Sequence, residues 1–309
     1  GPWEGGMVSD ELKKIFEKRN VEIITIKSGT RIFVEEVTSS GQVNPIVLIG
    51  NSMVTPNNSI TGLRKWTISR DINLKSNPIF KDHSIGGRPV LPAVHAMSWM
   101  IDACEQVIPG YKMSNCKNFK VLNGIVFDKT LADKYTLELE EVDCENRNYI
   151  EIEVKVSSKA RSLNSNKNVS RFHYSTRVRL GNQIQKAKKI KSINFNETHS
   201  LSGSSFYNNG TLFHGTKFQG IEKLMNINEI GLTLRCRLAK KNLSEEGQFA
   251  SQDFNPFSLD IAFQGMLIWT RHFKKSGSLP LKTETVEHFR KVPFEKTFYL
   301  SMRVKSNNS

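Results

Sequence analysis

Long apolar runs are missing from this chain of 309 residues. No stretch approaches the ~18–20 consecutive apolar residues of a membrane-spanning helix, and no basic segment leads into an apolar core as in a secretory leader. Cysteine is scarce: Cys104, Cys116, Cys144 and Cys236 form no close pair and no C-x-x-C. Cys104 and Cys236 sit in apolar patterns, so buried reduced thiols are the simplest reading. No G-x-G-x-x-G occurs, and nothing supports a dinucleotide site. No two histidines show H-x-x-x-H or H-E-x-x-H spacing, so no metal site is expected. These absences point to a cytoplasmic protein without a membrane span.

Acidic residues are also in deficit, 30 Asp and Glu against 44 Lys and Arg, for a net charge of +14. That balance could serve nucleic acid, an anionic membrane surface or an acidic protein partner. The basic residues are scattered, and the one dense cluster, Lys186 to Lys191, lies in a linker-like stretch. No aromatic stacking platform accompanies it, so a solvated linker is preferred and no nucleic-acid partner is expected. The sign of the charge still suits docking of an acidic carrier.

The length favours two units. Gly1-Pro2 followed by Trp3-Glu4-Gly5-Gly6 reads as a protease scar and linker. Over residues 9–50 the pattern is βαβ: Ser9 is placed to cap a helix carrying Leu12, Ile15 and Phe16, Val21–Ile26 is a predicted strand, 28–37 a second helix and Ile46–Ile49 another strand. Polar, Pro/Asn-rich residues 51–63 mark a boundary.

Beyond it, Trp66, Ile68, Ile72 and Leu74 alternate with polar residues as in a half-buried strand. Residues 77–108 then organise the chain. His83 precedes Gly86, Gly87, Pro89 and Pro92, and a helix follows in which Val94, Met97, Ile101, Cys104 and Ile108 recur at helical steps while Trp99, Met100 and Val107 fill the other faces. A helix apolar all round is buried. Strands are predicted at Phe119–Phe127, Tyr135–Val142, Tyr149–Val156 and Arg171–Leu180, the last alternating through Phe172, Tyr174, Thr176, Val178 and Leu180. Polar residues 182–204 read as a linker. A second unit repeats the order of parts: loop and short helix over Phe206–Leu224, a strand at Gly231–Leu238, an apolar helix over Asn255–Phe273 with Asn255 as cap and Pro256 in its first turn, and strands at Thr283–Val292 and Thr297–Val304. Two buried helices, each among antiparallel-type strands, indicate an α+β fold built by duplication.

Three short patterns carry chemistry. His83, Gly87 and Pro92 read H-x-x-x-G-x-x-x-x-P; Asp260 and Gln264 read D-x-x-x-Q; His214-Gly215-Thr216-Lys217-Phe218-Gln219-Gly220 stands between them. In this order they resemble the signatures of the dehydratase domains of iterative polyketide and polyunsaturated fatty acid synthases, with Thr216 where the third signature usually has proline and Ala93 where the first continues with glycine. Residues 117–127 look like the same family. The stretch VEIITIKSGTRIFVEEV near the start resembles the end of a ketoreductase domain. The resemblance implies a double hot-dog fold, two antiparallel sheets each wrapped around a long central helix. Residues 1–54 are then tag remnant and ketoreductase-like tail, 55–184 an N-terminal hot-dog holding the histidine, 185–205 a linker, and 206–309 a C-terminal hot-dog holding the aspartate. Relatives usually carry a further strand or hairpin after the stretch TFYLSMRV, so this last unit is expected either to be truncated or to have its last strands rearranged.

The implied reaction removes water from a 3-hydroxyacyl thioester borne on the phosphopantetheine arm of an acyl carrier protein, giving the trans-2-enoyl thioester, with no other cofactor. A neutral imidazole is a suitable base, its ordinary pKa of about 6.5 lying near working pH. Asp260, flanked by Leu259, Ile261, Ala262 and Phe263, is placed for desolvation to keep it protonated as the acid. Gln264, one helical turn on, shares its face and can orient the carboxyl. Backbone N–H groups near Gly87 and Pro92, at the start of the central helix, would polarise the thioester carbonyl. His214, Gly215 and Phe218 are candidate site-lining residues, and His95 reads as packed core. Taken singly, His83 would be an ordinary turn histidine and Asp260 an ordinary helix-terminus acid. A product-template-like cyclase, an enoyl isomerase or a scaffolding module would be compatible with the same fold. The partners implied are the carrier protein, a neighbouring ketoreductase and a second copy in a homodimer.

Overall fold

The structure, a computed structural model, describes residues 2–5, 8–18, 21, 23–38, 63–128, 134–143, 149–161, 168–182, 186–187, 193, 195–198, 200–250 and 252–305. It divides into Gly1–Gly62 and Leu63–Ser309.

The first unit holds helices α1 (Asp10–Lys18) and α2 (Ile26–Thr38). Ser9 caps α1, its Oγ accepting from the Leu12 N–H at 3.4 Å. The strand predicted at Val21–Ile26 does not form. Ile24 makes one parallel bridge to Trp3, and Thr25 Oγ1 accepts from the Ser28 N–H at 3.2 Å, so the chain turns into α2 there. A β-branched run without a sheet to pair with does not hold a strand. The Trp3 ring lies over Gly29, where a Cβ would stand 2.5 Å from it, so the stretch read as a remnant is packed onto this unit. The predicted strand Ile46–Ile49 falls outside the described residues.

The second unit begins with β1 (Lys65–Asp71), the hairpin β2 (Ser84–Ile85) and β3 (Arg88–Pro89), and helix α3 (Ala93–Val107). Strands β4 (Lys112–Val121), β5 (Lys134–Asp143), β6 (Tyr149–Arg161) and β7 (Asn168–Gly181) follow. Then come β8 (Leu201–Ser202), α4 (Gly203–Asn208), β9 (Ile221–Asn228), β10 (Gly231–Arg237), α5 (Leu243–Glu246), α6 (Pro256–Lys274), β11 (Lys282–Glu287) and β12 (Thr297–Arg303). Six strands form an antiparallel sheet in the order β1-β5-β6-β7-β4-β11, and four form a second in the order β12-β10-β9-β8.

Helix α3 packs on β4 and β7, α6 on β10 and β12, and the two helices pack on each other. Their apolar faces meet in one core: Val94, Met97, Met100, Ile101 and Cys104 are fully enclosed, as are Ile261 and Leu234. Leu137 and Leu139 of β5 face Val156 and Val154 of β6, which closes the inner side of the large sheet. Cys116 is buried as well, so Cys104, Cys116 and Cys236 are all enclosed free thiols.

Several elements depart from the periodicity reading. The strand expected at Phe119–Phe127 lies earlier, at β4, because the apolar side chains of 113–119 face α3 while 122–128 leave the sheet. In β7 a bulge at His173, which the register skips between Tyr174 and Phe172, turns His173 inward and leaves Phe172 exposed. Residues 221–224, the end of the stretch read as loop and short helix, begin β9, and residues 201–205 of the expected linker form β8 and the start of α4. The strand expected at Thr283–Val292 is the shorter β11, and it pairs with β4. Within Leu63–Ser309 a strand from the C-terminal half therefore completes the sheet of the N-terminal half, and the two sheets are not each built from one half of the chain.

Candidate active site

A short 3-10 turn, Pro78–Asp82, delivers His83 to the unit's interior. The turn is tied by the His83 N–H to the Phe80 carbonyl at 3.1 Å, and the Val90 N–H returns to the His83 carbonyl at 3.0 Å. Between them Gly86 and Gly87, with φ of +58° and +76°, make the two-residue hairpin turn that requires left-handed backbone at both positions. Pro92 then stands at the N-cap of α3, its carbonyl accepting from His95 and Ala96.

The loop carrying His214 is fastened to the same turn. His83 and His214 form an antiparallel bridge. The Gly215 N–H donates to the Asp82 carbonyl at 2.7 Å. Asp82 Oδ2 accepts from the Lys217 N–H at 2.8 Å and from the Thr216 hydroxyl at 3.2 Å. A Cβ on Gly215 would stand 2.8 Å from the Asp82 carboxyl carbon, so this close approach needs glycine. Thr216 thus holds the loop through a carboxylate where a proline would have held it through ring stiffness.

Helix α6 supplies the third element. Asn255 caps it, its Oδ1 accepting from the Phe257 N–H at 3.1 Å, with Pro256 at the first helical position. Asp260 and Gln264 then project from successive turns on one face. The Gln264 Nε2 donates to Asp260 Oδ2 at 2.7 Å and to the Phe218 carbonyl at 2.8 Å, while Gln264 Oε1 accepts from the Tyr207 hydroxyl at 2.8 Å. Tyr207 in turn accepts from the N–H groups of Gly220 and Ile221 at 3.2 and 3.3 Å. Every polar atom of the Gln264 amide is engaged, which fixes its orientation and that of the carboxyl beyond it.

These elements bring His83 Nε2 to 3.8 Å from Asp260 Oδ1 and His214 Nε2 to 3.5 Å from Asp260 Oδ2. All three side chains are buried. Burial pushes His83 down to about 4 and His214 down to about 3, so both rings are neutral near pH 7. Burial pushes Asp260 up to about 7 against the opposing Gln264 hydrogen bond, so its neutral acid persists in that range. The histidine was expected near its ordinary pKa; enclosure between the Phe213 and Phe218 rings, each 5.2 Å away, makes it a weaker base.

The three groups line a cavity of about 400 Å³. Its walls are mainly apolar and include Val121, Gly124, Tyr174, Leu267, Leu279 and Leu281. Ile85, Arg88, Leu91 and Ala93 line it beside the start of α3, whereas Gly87, Pro92, Gly215 and Phe218 do not. Gly87 shapes the hairpin, Pro92 starts the helix, and Phe218 backs the His83 ring. His95 lies in the core, its ring 4.8 Å from Phe257 and 5.3 Å from Phe80. His173 hydrogen-bonds with Ser158 Oγ at 2.8 Å and with the Asn123 carbonyl at 2.9 Å; it pins the bulge and lies outside the cavity lining.

Three site features had no sequence signal. Tyr207 sits on a six-residue helix with no pattern pointing inward, and Asp82 is an ordinary turn acid. The third is the metal-type donor set. Local spacing argued against one, yet one donor atom from each of His83, His214 and Asp260 lies within 4.8 Å of the others, because ligands can be gathered from separate loops as well as from one helix.

Residues 52–157 match the model of the polyketide synthase dehydratase domain, and residues 194–309 that of the polyketide synthase dehydratase N-terminal domain. The chain is 30% identical over 306 residues to one of the subunits of the polyunsaturated fatty acid synthase of Thraustochytrium sp., an alignment taking in 98% of this chain and 10% of that protein. It therefore spans about a tenth of the length of the curated relative it matches. In structure it is similar to the dehydratase domain from the CurF module of curacin polyketide synthase, with a TM-score of 0.58 at 14% identity over 81% of this chain and 86% of that one. It is also similar to the CurK dehydratase, solved as an inactive mutant with phenylalanine in place of a histidine, with a TM-score of 0.56 at 16% identity over 81% and 84%. With both matched segments in chain order and the two helix-and-sheet halves of a double hot-dog around one site, this chain belongs to the dehydratase domains of polyketide synthases.

Proposed function

We propose that the chain removes water from 3-hydroxyacyl thioesters presented on the phosphopantetheine arm of an acyl carrier protein, giving trans-2-enoyl thioesters, with His83 as base and Asp260 as acid. One observation carries this reading: a buried neutral imidazole and a buried carboxyl held near neutrality face each other across 3.8 Å at the wall of an apolar cavity. A substrate set between them meets His83 Nε2 at its α-carbon and Asp260 Oδ1 at its 3-hydroxyl. His83 takes the α-proton, the electron pair forms the new double bond, and Asp260 protonates the departing hydroxyl to release water. The imidazolium then returns a proton to the carboxylate, so the pair resets without a redox or metal cofactor.

Gln264, clamped by Tyr207 and the Phe218 carbonyl, holds Oδ2 and leaves Oδ1 to carry the acidic proton. The thioester carbonyl is best served by the first turn of α3, where Ala93 meets the cavity. His214 is positioned to hydrogen-bond the substrate hydroxyl beside Asp260. The parent assembly would be a polyunsaturated fatty acid or iterative polyketide synthase in which a ketoreductase supplies the 3-hydroxyacyl chain.

The experiment is incubation with a 3-hydroxyacyl thioester and mass detection of the loss of water. His83→Phe should abolish turnover, since a positioned acid or base contributes roughly 10²–10⁴-fold. Native turnover in that variant would sink the assignment. Aromatic products from a poly-β-keto thioester, with no dehydration, would favour a cyclase on the same fold.

A further inference from the structure

We propose that His83, His214 and Asp260 form a site for a divalent transition-metal ion, with zinc as the fitting example, and that occupancy switches the domain off. The inhibition half of this proposal rests on the roles given above to His83 and Asp260; the binding half does not.

The donor set is right for such an ion. Two imidazole nitrogens and one carboxylate suit zinc, cobalt and nickel and do not suit magnesium or calcium. The spacing is near what such an ion needs. Donors about 2.0–2.2 Å from a tetrahedral zinc lie about 3.3–3.5 Å from one another. Here the two nitrogen–oxygen separations are 3.5 and 3.8 Å, too long for good hydrogen bonds, and the three donors, within 4.8 Å of one another, need to draw in by about an ångström to close on a metal. The carboxylate reaches both rings, Oδ1 towards His83 and Oδ2 towards His214. All three side chains line the cavity, which supplies an approach path and a fourth position for water.

The surroundings separate an inhibitory ion from a resident one. Zinc-binding histidines ordinarily donate their second N–H to a carboxylate or carbonyl, which orients the ring and raises its affinity. Among the described residues, His83 Nδ1 and His214 Nδ1 are buried without a hydrogen-bond partner. The rings are held by neighbouring aromatic side chains instead, His214 stacked on Phe213 at 4.1 Å and His83 edge-on to Phe218. A site of this kind binds reversibly, and the ion would occupy both the lone pair of the base and the oxygens of the acid. Metal availability would then set the fraction of active domain.

Binding is read without substrate. Protein stripped with EDTA and freed of chelator is titrated with zinc chloride by calorimetry, and with cobalt chloride by visible absorption. One equivalent should bind, with the cobalt bands of a four- or five-coordinate ion. His214→Gln and His83→Phe should each weaken binding about 100-fold or more, since even outer partners of ligands contribute 10–100-fold. His272→Ala, on the outer face of α6, should leave it unchanged. Melting curves without metal establish that each variant is folded, and zinc should raise the native melting temperature but not that of a folded His214→Gln chain. No binding by the native chain, or equal binding by the His83 and His214 variants, overturns the proposal. Zinc should then inhibit dehydration in competition with the thioester, and EDTA should restore it. Binding without inhibition would remove the switch and indict the roles of His83 and Asp260, while loss of binding leaves those roles untouched.

Discussion

Replacing Asp260 by asparagine isolates what burial does to the acid. A carboxyl held at about 7 instead of its ordinary 3.8 favours its neutral form by about 4 kcal/mol. The direction follows from proton linkage. Between those two values the folded chain keeps the Asp260 proton and the unfolded chain loses it, so this group's contribution is fully favourable below pH 3.8 and is lost as pH rises through about 7. Integrated from pH 5 to pH 8, the loss is about 2–3 kcal/mol. Asparagine has no proton to lose, and its oxygen can keep the Gln264 hydrogen bond. His83 and His214, depressed by burial, act in the opposite sense: their contribution is present above 6.5 and lost as pH falls towards 4 and 3, equally in both chains. They cancel in the comparison. Urea unfolding of both proteins at the two pH values should therefore show the asparagine variant gaining about 2–3 kcal/mol on the native chain at pH 8 relative to pH 5. Turnover should fall by roughly 10²–10⁴-fold. A stability difference independent of pH would refute the raised pKa, and with it the argument that Asp260 is the acid.

Two further substitutions probe the supports of the site. Tyr207→Phe removes the hydroxyl that holds Gln264 and meets two backbone N–H groups, and should cost about 1–3 kcal/mol in unfolding and lower kcat more than it raises KM. Gly124 lines the cavity with no atom within 4 Å of where a Cβ would stand, so Gly124→Leu should fill acyl space without disturbing the fold. Long-chain 3-hydroxyacyl thioesters should lose about 10–100-fold in kcat/KM while short ones keep theirs, checked by assays across chain lengths.

Much of the fold was legible because its elements obey local periodicities. The all-round apolar pattern of α3 and α6, the alternation of β1, β5 and β6, and the Asn255-Pro256 start of α6 are all carried by short stretches of chain. What failed did so where a neighbour overrode the pattern. Phe172 fits an inward alternation, but the bulge at His173 reverses the facing of that end of β7. The apolar spacing around Phe119 is equally good for a strand shifted by several residues, and only pairing with β7 and β11 sets its bounds. β11 looked like part of a second, separate sheet, since nothing local says which edge a strand will join.

The sequence by itself determined the parts of the site: a histidine on a glycine hairpin before one buried helix, and an aspartate with a glutamine one turn later on another. Side-chain type and helical spacing are enough for that. Only the tertiary structure decided how the parts meet. It set His83 and Asp260 3.8 Å apart, brought His214 to the same carboxylate through the Asp82-anchored loop, and placed Tyr207 behind Gln264. It also shifted the three pKa values, because desolvation depends on what closes over a group, and residues far away in the chain do the closing.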